Sequence, residues 1–244
     1  MTISYKKTKL RYGENPNQKA YLLQNKKKSI FEYQISGKMI SYNNIIDVDS
    51  GLKCLNEFKE PSCVIIKHNN PCGAALGATQ VEAYKAALAS DPESAFGSII
   101  CFNEPLEIDT AEAMKDLFIE VLIAPNYAKQ AKEIVMQKTN RRILTIESPN
   151  DRLAPLNRIL VKKPIEGGWI VQTEEAPIID WSKAKIVTEV QPTKEQIDSM
   201  KFAVRVCEQV KSNAIVMVQG TATVGIGPGQ TSRVEAVRIA ARRA

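Results

Sequence analysis

Short β-branched apolar runs alternate along this chain with capped amphipathic segments, and that alternation restricts its fold more than any other feature. Cys63-Val64-Ile65-Ile66, Ser98 to Phe102 and Val121-Leu122-Ile123 are too short for helices and rich in strand-forming residues. Between them, Thr79-Gln80-Val81-Glu82 is a capping box that opens a helix to about Ser90, and Asp109-Thr110-Ala111-Glu112 reads as a second cap. A further helix is expected over 127–137. Residues 29–36 alternate like a strand up to the turn signal Gly37-Lys38, and Asp49-Ser50 is expected to open a helix carrying Leu52, Leu55 and Phe58. Two more strands fit 158–161 and 169–172. Strands and helices in this alternation argue for an α/β sheet covered on both faces.

A proline-bearing stretch from Glu174 to Pro192 reads as a connection between domains. Beyond it, Thr193-Lys194-Glu195-Gln196 caps a helix to about Val210, strands are expected over 214–218 and 221–226, and a last helix starts near Thr231. Two strands make a marginal sheet by themselves, so this second unit reads as begun and not finished.

Composition narrows the function classes. Five cysteines without a C-x-x-C pair support neither a disulfide framework nor a zinc site. Cys63, Cys101 and Cys207 lie in apolar runs and read as small core residues. The net charge of +6 is spread over Lys6-Lys7, Lys26-Lys27-Lys28, Arg141-Arg142, Lys162-Lys163 and Arg242-Arg243, with no aromatic residues between them. These pairs read as solvated surface charge and not as a nucleic-acid face, and the positive balance suits small anionic substrates. No apolar stretch approaches a membrane span, and the first residues lack the apolar segment of a signal peptide, so a cytoplasmic protein is expected.

Four motifs carry chemistry. Lys67-His68-Asn69-Asn70-Pro71-Cys72-Gly73 follows the first apolar run, and His68 is the sole histidine of 244 residues. Asn69 to Gly73 reads as a turn, which puts Lys67 and His68 at a strand's carboxyl end, where open α/β sheets bind ligands. Gly225-Ile226-Gly227-Pro228-Gly229-Gln230-Thr231-Ser232-Arg233 joins a strand to a helix and fits neither a dinucleotide fingerprint nor a P-loop. It is either a backbone cradle for an anion that Arg233 also meets, or a tight structural turn. Arg11-Tyr12-Gly13-Glu14-Asn15-Pro16-Asn17-Gln18 gathers polar groups into one turn. Asn213, between a helix and a strand, is placed to bind a substrate amide or to cap the helix.

Taken in order, LRYGENPNQKA (10–20), SYNNIIDVD (41–49), KHNNPCGAALG (67–77), SDPESAFGSIICFN (90–103), EVLIAP (120–125), EGGWIVQ (166–172), VKSNAIV (210–216) and GIGPGQTSRVEA (225–236) resemble the AICAR transformylase family over nearly the whole chain. Those enzymes transfer a formyl group from 10-formyltetrahydrofolate, a cosubstrate, to the 5-amino group of AICAR without a metal. The resemblance implies a three-layer α/β/α cytidine-deaminase-like unit at 1–190 and part of a second such unit at 191–244. It implies His68 as base, Lys67 as the cation for the formyl oxygen or for N10, and Asn213 as the group orienting the AICAR carboxamide and the histidine. By the same resemblance Arg11 and Tyr12 meet phosphate or ribose, Phe96, Gly97, Glu120 and Arg233 line the nucleotide pocket, and Ser232 and Val234 lie nearer the folate.

Departures from the family pattern are also visible. Asn15-Pro16-Asn17-Gln18 replaces the family's Asn-Pro-His-Gln, and cyclohydrolase activity is not expected from this chain. Neither an H-x-E nor a P-C-x-x-C deaminase signature is present. The expected partners are AICAR and the folate, with either a homodimer or association with a separate C-terminal half. The competing reading is a catalytically incomplete AICAR-binding or assembly subunit. A basic RNA-binding module would instead show salt-dependent RNA affinity and no effect of His68→Ala.

Overall fold

The computed structural model describes residues 6–24, 30–146, 160–173, 179 and 181–244. The elements run β1 (Lys6–Lys9), β2 (Tyr21–Gln24), β3 (Gln34–Ser36), α1 (Tyr42–Leu55), β4 (Ser62–Lys67), β5 (Asn70–Leu76), α2 (Gln80–Ser90), α3 (Pro92–Ala95), β6 (Ser98–Phe102) and α4 (Ile108–Met114). They continue with β7 (Ile119–Ala124), α5 (Lys129–Met136), β8 (Arg142–Thr145), β9 (Leu160–Ile165), β10 (Gly168–Thr173), α6 (Lys194–Glu208), β11 (Ile215–Gln219), β12 (Ala222–Gly227) and α7 (Arg233–Arg243).

Eight strands form one sheet in the order β11-β12-β5-β4-β6-β7-β8-β3. β6, β7 and β8 run parallel, and β4 runs antiparallel to β6. Alternation along β4 sorts the core into two layers. Cys63 and Ile65 face Ala83, Tyr84 and Ala87 of α2, in a cluster that also takes Met114 of α4 and Val135 of α5. Val64 and Ile66 face Val48 and Leu55 of α1, in a cluster that takes Phe202 and Val206 of α6. The result is a three-layer α/β/α fold with a mixed central sheet. Among the described residues, no helix is long and apolar enough to cross a membrane.

The β11–β12 hairpin extends this same sheet, through the Ala222–Ala75 pairing, the Leu76 N–H to Thr221 O bond at 2.9 Å and a stitch supplied by one side chain. Thr223 Oγ1 accepts from the Ala74 N–H at 2.9 Å and donates to the Ala74 carbonyl at 3.1 Å. α7 crosses β12 so closely that a Cβ at Gly225 would lie 2.1 Å from the Ala240 carbonyl oxygen, and one at Gly227 2.0 Å from that of Ala236. Two glycines of the glycine-rich run are therefore demanded by helix-on-strand packing.

Several sequence expectations are corrected. Residues 70–73, expected in the turn, belong to β5, because the turn after β4 needs only His68 and Asn69. α1 is capped by Ser41, whose hydroxyl accepts from the Asn44 N–H while Asn44 Oδ1 accepts from the Ser41 N–H; Asp49 lies inside the helix. The strand expected over 29–36 is a 3-10 turn at Ile30–Tyr33 followed by β3. β1, β2 and β8 were not anticipated. α4 starts at Ile108, one residue ahead of the expected cap. α2, β6, α6 and the strand pair β11–β12 fall where the caps and apolar runs place them. Arg158, at the start of the strand expected over 158–161, lies outside the described residues.

Candidate active site

At the carboxyl end of β4 a cleft of about 490 Å³ opens, and it gathers six of the residues singled out from the sequence: Arg11, Tyr12, Lys67, His68, Gly97 and Glu120. The carboxyl-end rule holds for β4 alone. Because β4 is antiparallel to β6, the cleft meets the parallel strands at their amino ends, with Gly97 preceding β6, Glu120 near the start of β7 and Arg142 opening β8.

Each wall is fixed locally. Arg11 and Tyr12 leave a loop closed by Leu10 N–H to Ala20 O, 3.0 Å, and Gly13 N–H to Gln18 O, 2.9 Å. Asn43 Nδ2 ties that loop to α1 by donating to Glu14 O at 3.2 Å. The N-terminus of α1 itself, with Ser41, Asn43 and Asn44, lines the cleft and turns its positive dipole end toward it. Lys67 Nζ donates to the Phe96 carbonyl at 2.5 Å, which leaves two of the three ammonium donors for other acceptors. A Cβ at Gly97, whose φ is +69°, would stand 3.3 Å from both Lys67 Nζ and the Phe118 ring, so glycine keeps the space beside the ammonium open.

His68 and Asn69 form the two-residue turn between β4 and β5, both left-handed at φ +51° and +62°. The turn is held from two directions. Asp47 of α1 accepts from the Asn69 N–H through Oδ1 at 2.7 Å, and Asn70 Nδ2 donates to the His68 carbonyl at 3.0 Å. Burial raises the Asp47 carboxyl above its ordinary value, opposed by the Asn69 N–H and by the charges of His68, Lys67 and Lys211.

Four cationic side chains, Arg11, Lys38, Lys67 and Arg142, face two carboxylates, Asp47 and Glu120, across the cleft. Arg142 Nη1 meets Glu120 Oε2 at 2.5 Å, and its Nε donates to the Met39 carbonyl at 3.1 Å. The remaining positive balance and the α1 terminus suit an anionic, phosphate-sized group. Cys72 does not supply a nucleophile: it is buried, and burial pushes its thiol up to about 12.

Five of the singled-out residues stand outside this cleft. Phe96 is exposed and packs on Phe118 with ring centres 5.2 Å apart. Asn213 uses its side-chain N–H groups on the carbonyls of Gln230, 2.9 Å, and Thr231, 3.2 Å, so it closes the glycine-rich loop. Ser232, Arg233 and Val234 open α7 and are exposed. The two regions communicate through Asn70, whose Oδ1 accepts from the Lys211 N–H at 3.2 Å, while the Lys211 carbonyl accepts from Gly229 at 2.7 Å.

The sequence reading missed Lys38, Asp47, Phe118 and Arg142. Arg141-Arg142, read as solvated charge, is the clearest correction: Arg141 is only 2% exposed, with Nη2 on the Leu117 carbonyl, and Arg142 belongs to the cleft. The available signal was β8, since a strand starting at residue 142 puts one arginine on each side of the sheet's end.

The chain matches the AICARFT/IMPCHase bienzyme family over residues 1–243. It belongs to that family. Curated relatives agree along the same length. It is 46% identical to the bifunctional purine biosynthesis protein PurH of Parvibaculum lavamentivorans, with 98% of this chain and 45% of that protein aligned. PurH of Rhizobium leguminosarum bv. trifolii is 44% identical, over 98% of this chain and 45% of that protein. PurH of Persephonella marina is 40% identical, over 98% and 46%. The chain thus spans about half the length of the curated relatives it matches.

Proposed function

We propose that this chain provides the nucleotide half of an AICAR formyltransferase site, in which the 5-amino group of AICAR attacks the formyl carbon of 10-formyltetrahydrofolate. The observation that carries the reading is the pairing of Lys67 and His68 at the end of β4, beside a cleft with a positive balance of charge. The AICAR amine is weakly nucleophilic because its lone pair is delocalised into the imidazole and its carboxamide. As the new C–N bond forms, His68 takes the amine proton. Lys67, held by the Phe96 carbonyl, directs its remaining N–H groups at the oxyanion and at the departing N10. Arg11 and Tyr12, with the α1 terminus, take the phosphate and ribose, while Glu120 holds Arg142 in place.

Ser232 and Val234 belong to the folate side in this proposal and Arg233 to the nucleotide, on a loop linked to the base through Asn213, Lys211 and Asn70. The reading extends to a cytoplasmic protein that self-associates, in keeping with the exposed Trp169, Ile170 and Val171 of β10.

Formyl transfer by the 244-residue chain, assayed with AICAR and 10-formyltetrahydrofolate beside His68→Ala, tests it. Turnover in the parent that falls by about 10²-fold or more in the variant supports the reading. A folded parent in which AICAR neither turns over nor perturbs the His68 NMR signal overturns it.

A further inference from the structure

The two polar atoms of one peptide bond, the His68 carbonyl and the Asn69 N–H, are both held by side chains, the first by Asn70 at the start of β5 and the second by Asp47 of α1. From this we infer that Asp47 is a positioning residue for His68, acting through the backbone of the β4–β5 turn. The inference rests on the reading of His68 as the base.

Two-residue hairpins rearrange most easily by rotating their central peptide. Here that rotation breaks the 2.7 Å bond from Asn69 N–H to Asp47 and the 3.0 Å bond from Asn70 Nδ2 to the His68 carbonyl. Left-handed backbone is unfavourable for a side chain such as histidine, so the turn needs such outside support to stay in one conformation. Asp47 is well placed to give it. It stands in the second turn of α1, whose Val48 and Leu55 are fully buried against the sheet, so its carboxylate is fixed to the rigid part of the fold. Asn70, at the other end of the peptide, is tied to Lys211. The base is thereby referenced to α1 on one side and to the α6–β11 connection on the other.

A positioning role and a direct charge role separate by substitution. Asp47→Ala removes the acceptor, whereas Asp47→Asn keeps an oxygen that accepts from Asn69. Because His68 is the sole histidine, its imidazole NMR signal needs no assignment by mutagenesis. In Asp47→Ala we expect Asn69 amide exchange to accelerate by about tenfold to a hundredfold, the loss of one charge-assisted hydrogen bond. The imidazole signal should shift or broaden, and kcat for formyl transfer should fall by a similar factor with the KM for AICAR nearly unchanged. Asp47→Asn should recover most of each.

Unchanged exchange and an unchanged imidazole signal in Asp47→Ala overturn the inference. So does an Asp47→Asn variant as inactive as Asp47→Ala with its turn intact, which would give Asp47 a direct electrostatic part. If Asp47→Ala does not fold, Asn70→Ala releases the carbonyl end of the same peptide and is read by the same two signals. If the parent chain shows neither formyl transfer nor an AICAR-induced change in the His68 signal, the proposed function is what fails, and exchange and imidazole signals still decide whether Asp47 sets the turn.

Discussion

The β4–β5 and β11–β12 hairpins are closed by turns of equal length and opposite character. In β11–β12 the pair is Gly220-Thr221, and the left-handed residue is Gly220, at φ +58° with nothing within 4 Å of where a Cβ would stand. This is the ordinary solution: glycine takes the conformation that side chains resist. In β4–β5 both turn residues are left-handed, and they are His68 and Asn69. The β9–β10 hairpin again gives its positive φ to a glycine, Gly167. Where a turn only reverses the chain, glycine is used. At the edge of the cleft a histidine occupies the same kind of position, and Asp47 and Asn70 hold it there. The difference is what the proposed role of the His68 imidazole calls for, since the turn itself does not need a histidine.

The sharpest way to break this comparison is to make the two hairpins alike. Replacing His68-Asn69 by Asn-Gly installs the pair that such a turn prefers, so the melting temperature should hold or rise. Formyl transfer should nevertheless fall by about 10²–10⁴-fold, the usual contribution of a positioned base. A parallel loss of stability and activity would mean that His68 is needed by the fold, and the contrast would collapse.

Next in size is a test of the glycine-rich run, where the structure chooses between the readings left open by the sequence for two of its glycines. A Cβ at Gly227 would sit 2.0 Å from the Ala236 carbonyl oxygen, backbone that cannot move without displacing α7. Gly227→Ala should cost about 3 kcal/mol, a fall in Tm of roughly 6–12 °C for a chain of this size. An unaltered Tm would free Gly227 from packing and return it to the ligand-cradle reading.

These cases also show what the sequence made legible. α2 and α6 announce themselves because Thr79 with Glu82 and Thr193 with Gln196 are complete capping boxes, a local signal that tertiary structure preserves. The Ser41–Asn44 box is equally local but uses asparagine in place of glutamate, so the sequence points to a start for α1 several residues late. Asp47 carries no local signal, since its contact with the turn exists only once α1 and the β4–β5 turn meet across 22 residues. β5 was hidden by Asn70-Pro71-Cys72-Gly73, turn-like residues whose strand pairing depends on the neighbours β4 and β12. The motifs indicated which residues matter, while the partition into cleft and glycine-rich loop required the sheet order.

A smaller effect is expected from putting a side chain into the unsupported hairpin. Gly220→Ala forces alanine into left-handed backbone with no Asp47 or Asn70 equivalent beside it, at a cost of about 1 kcal/mol. Urea denaturation measures it, and formyl transfer should be unchanged because Gly220 lies at the far tip of β11–β12. A cost near zero would show that left-handed side chains are cheap in this fold, and the support given to His68 would need another explanation.

The smallest effect concerns what that support does to stability. Burial raises the Asp47 carboxyl above its ordinary value of 3.8, so the folded state disfavours its ionised form. A group raised in this way contributes stability below its unfolded pKa and loses that contribution as pH rises through the folded one. Asp47→Asn keeps the acceptor for Asn69 and removes the charge. The variant and parent should therefore unfold alike at pH below 3.8, and the variant should become the more stable as pH rises past the raised value, with the gap constant by neutrality. Melting temperatures of both proteins across that range decide it. A variant less stable than the parent at neutral pH would mean that Lys67, His68 and Lys211 outweigh burial and that the Asp47 charge serves the fold. The predicted order instead sets a half-buried carboxylate that stability does not favour beside a turn that glycine would close more easily, and both departures converge on the placement of one imidazole.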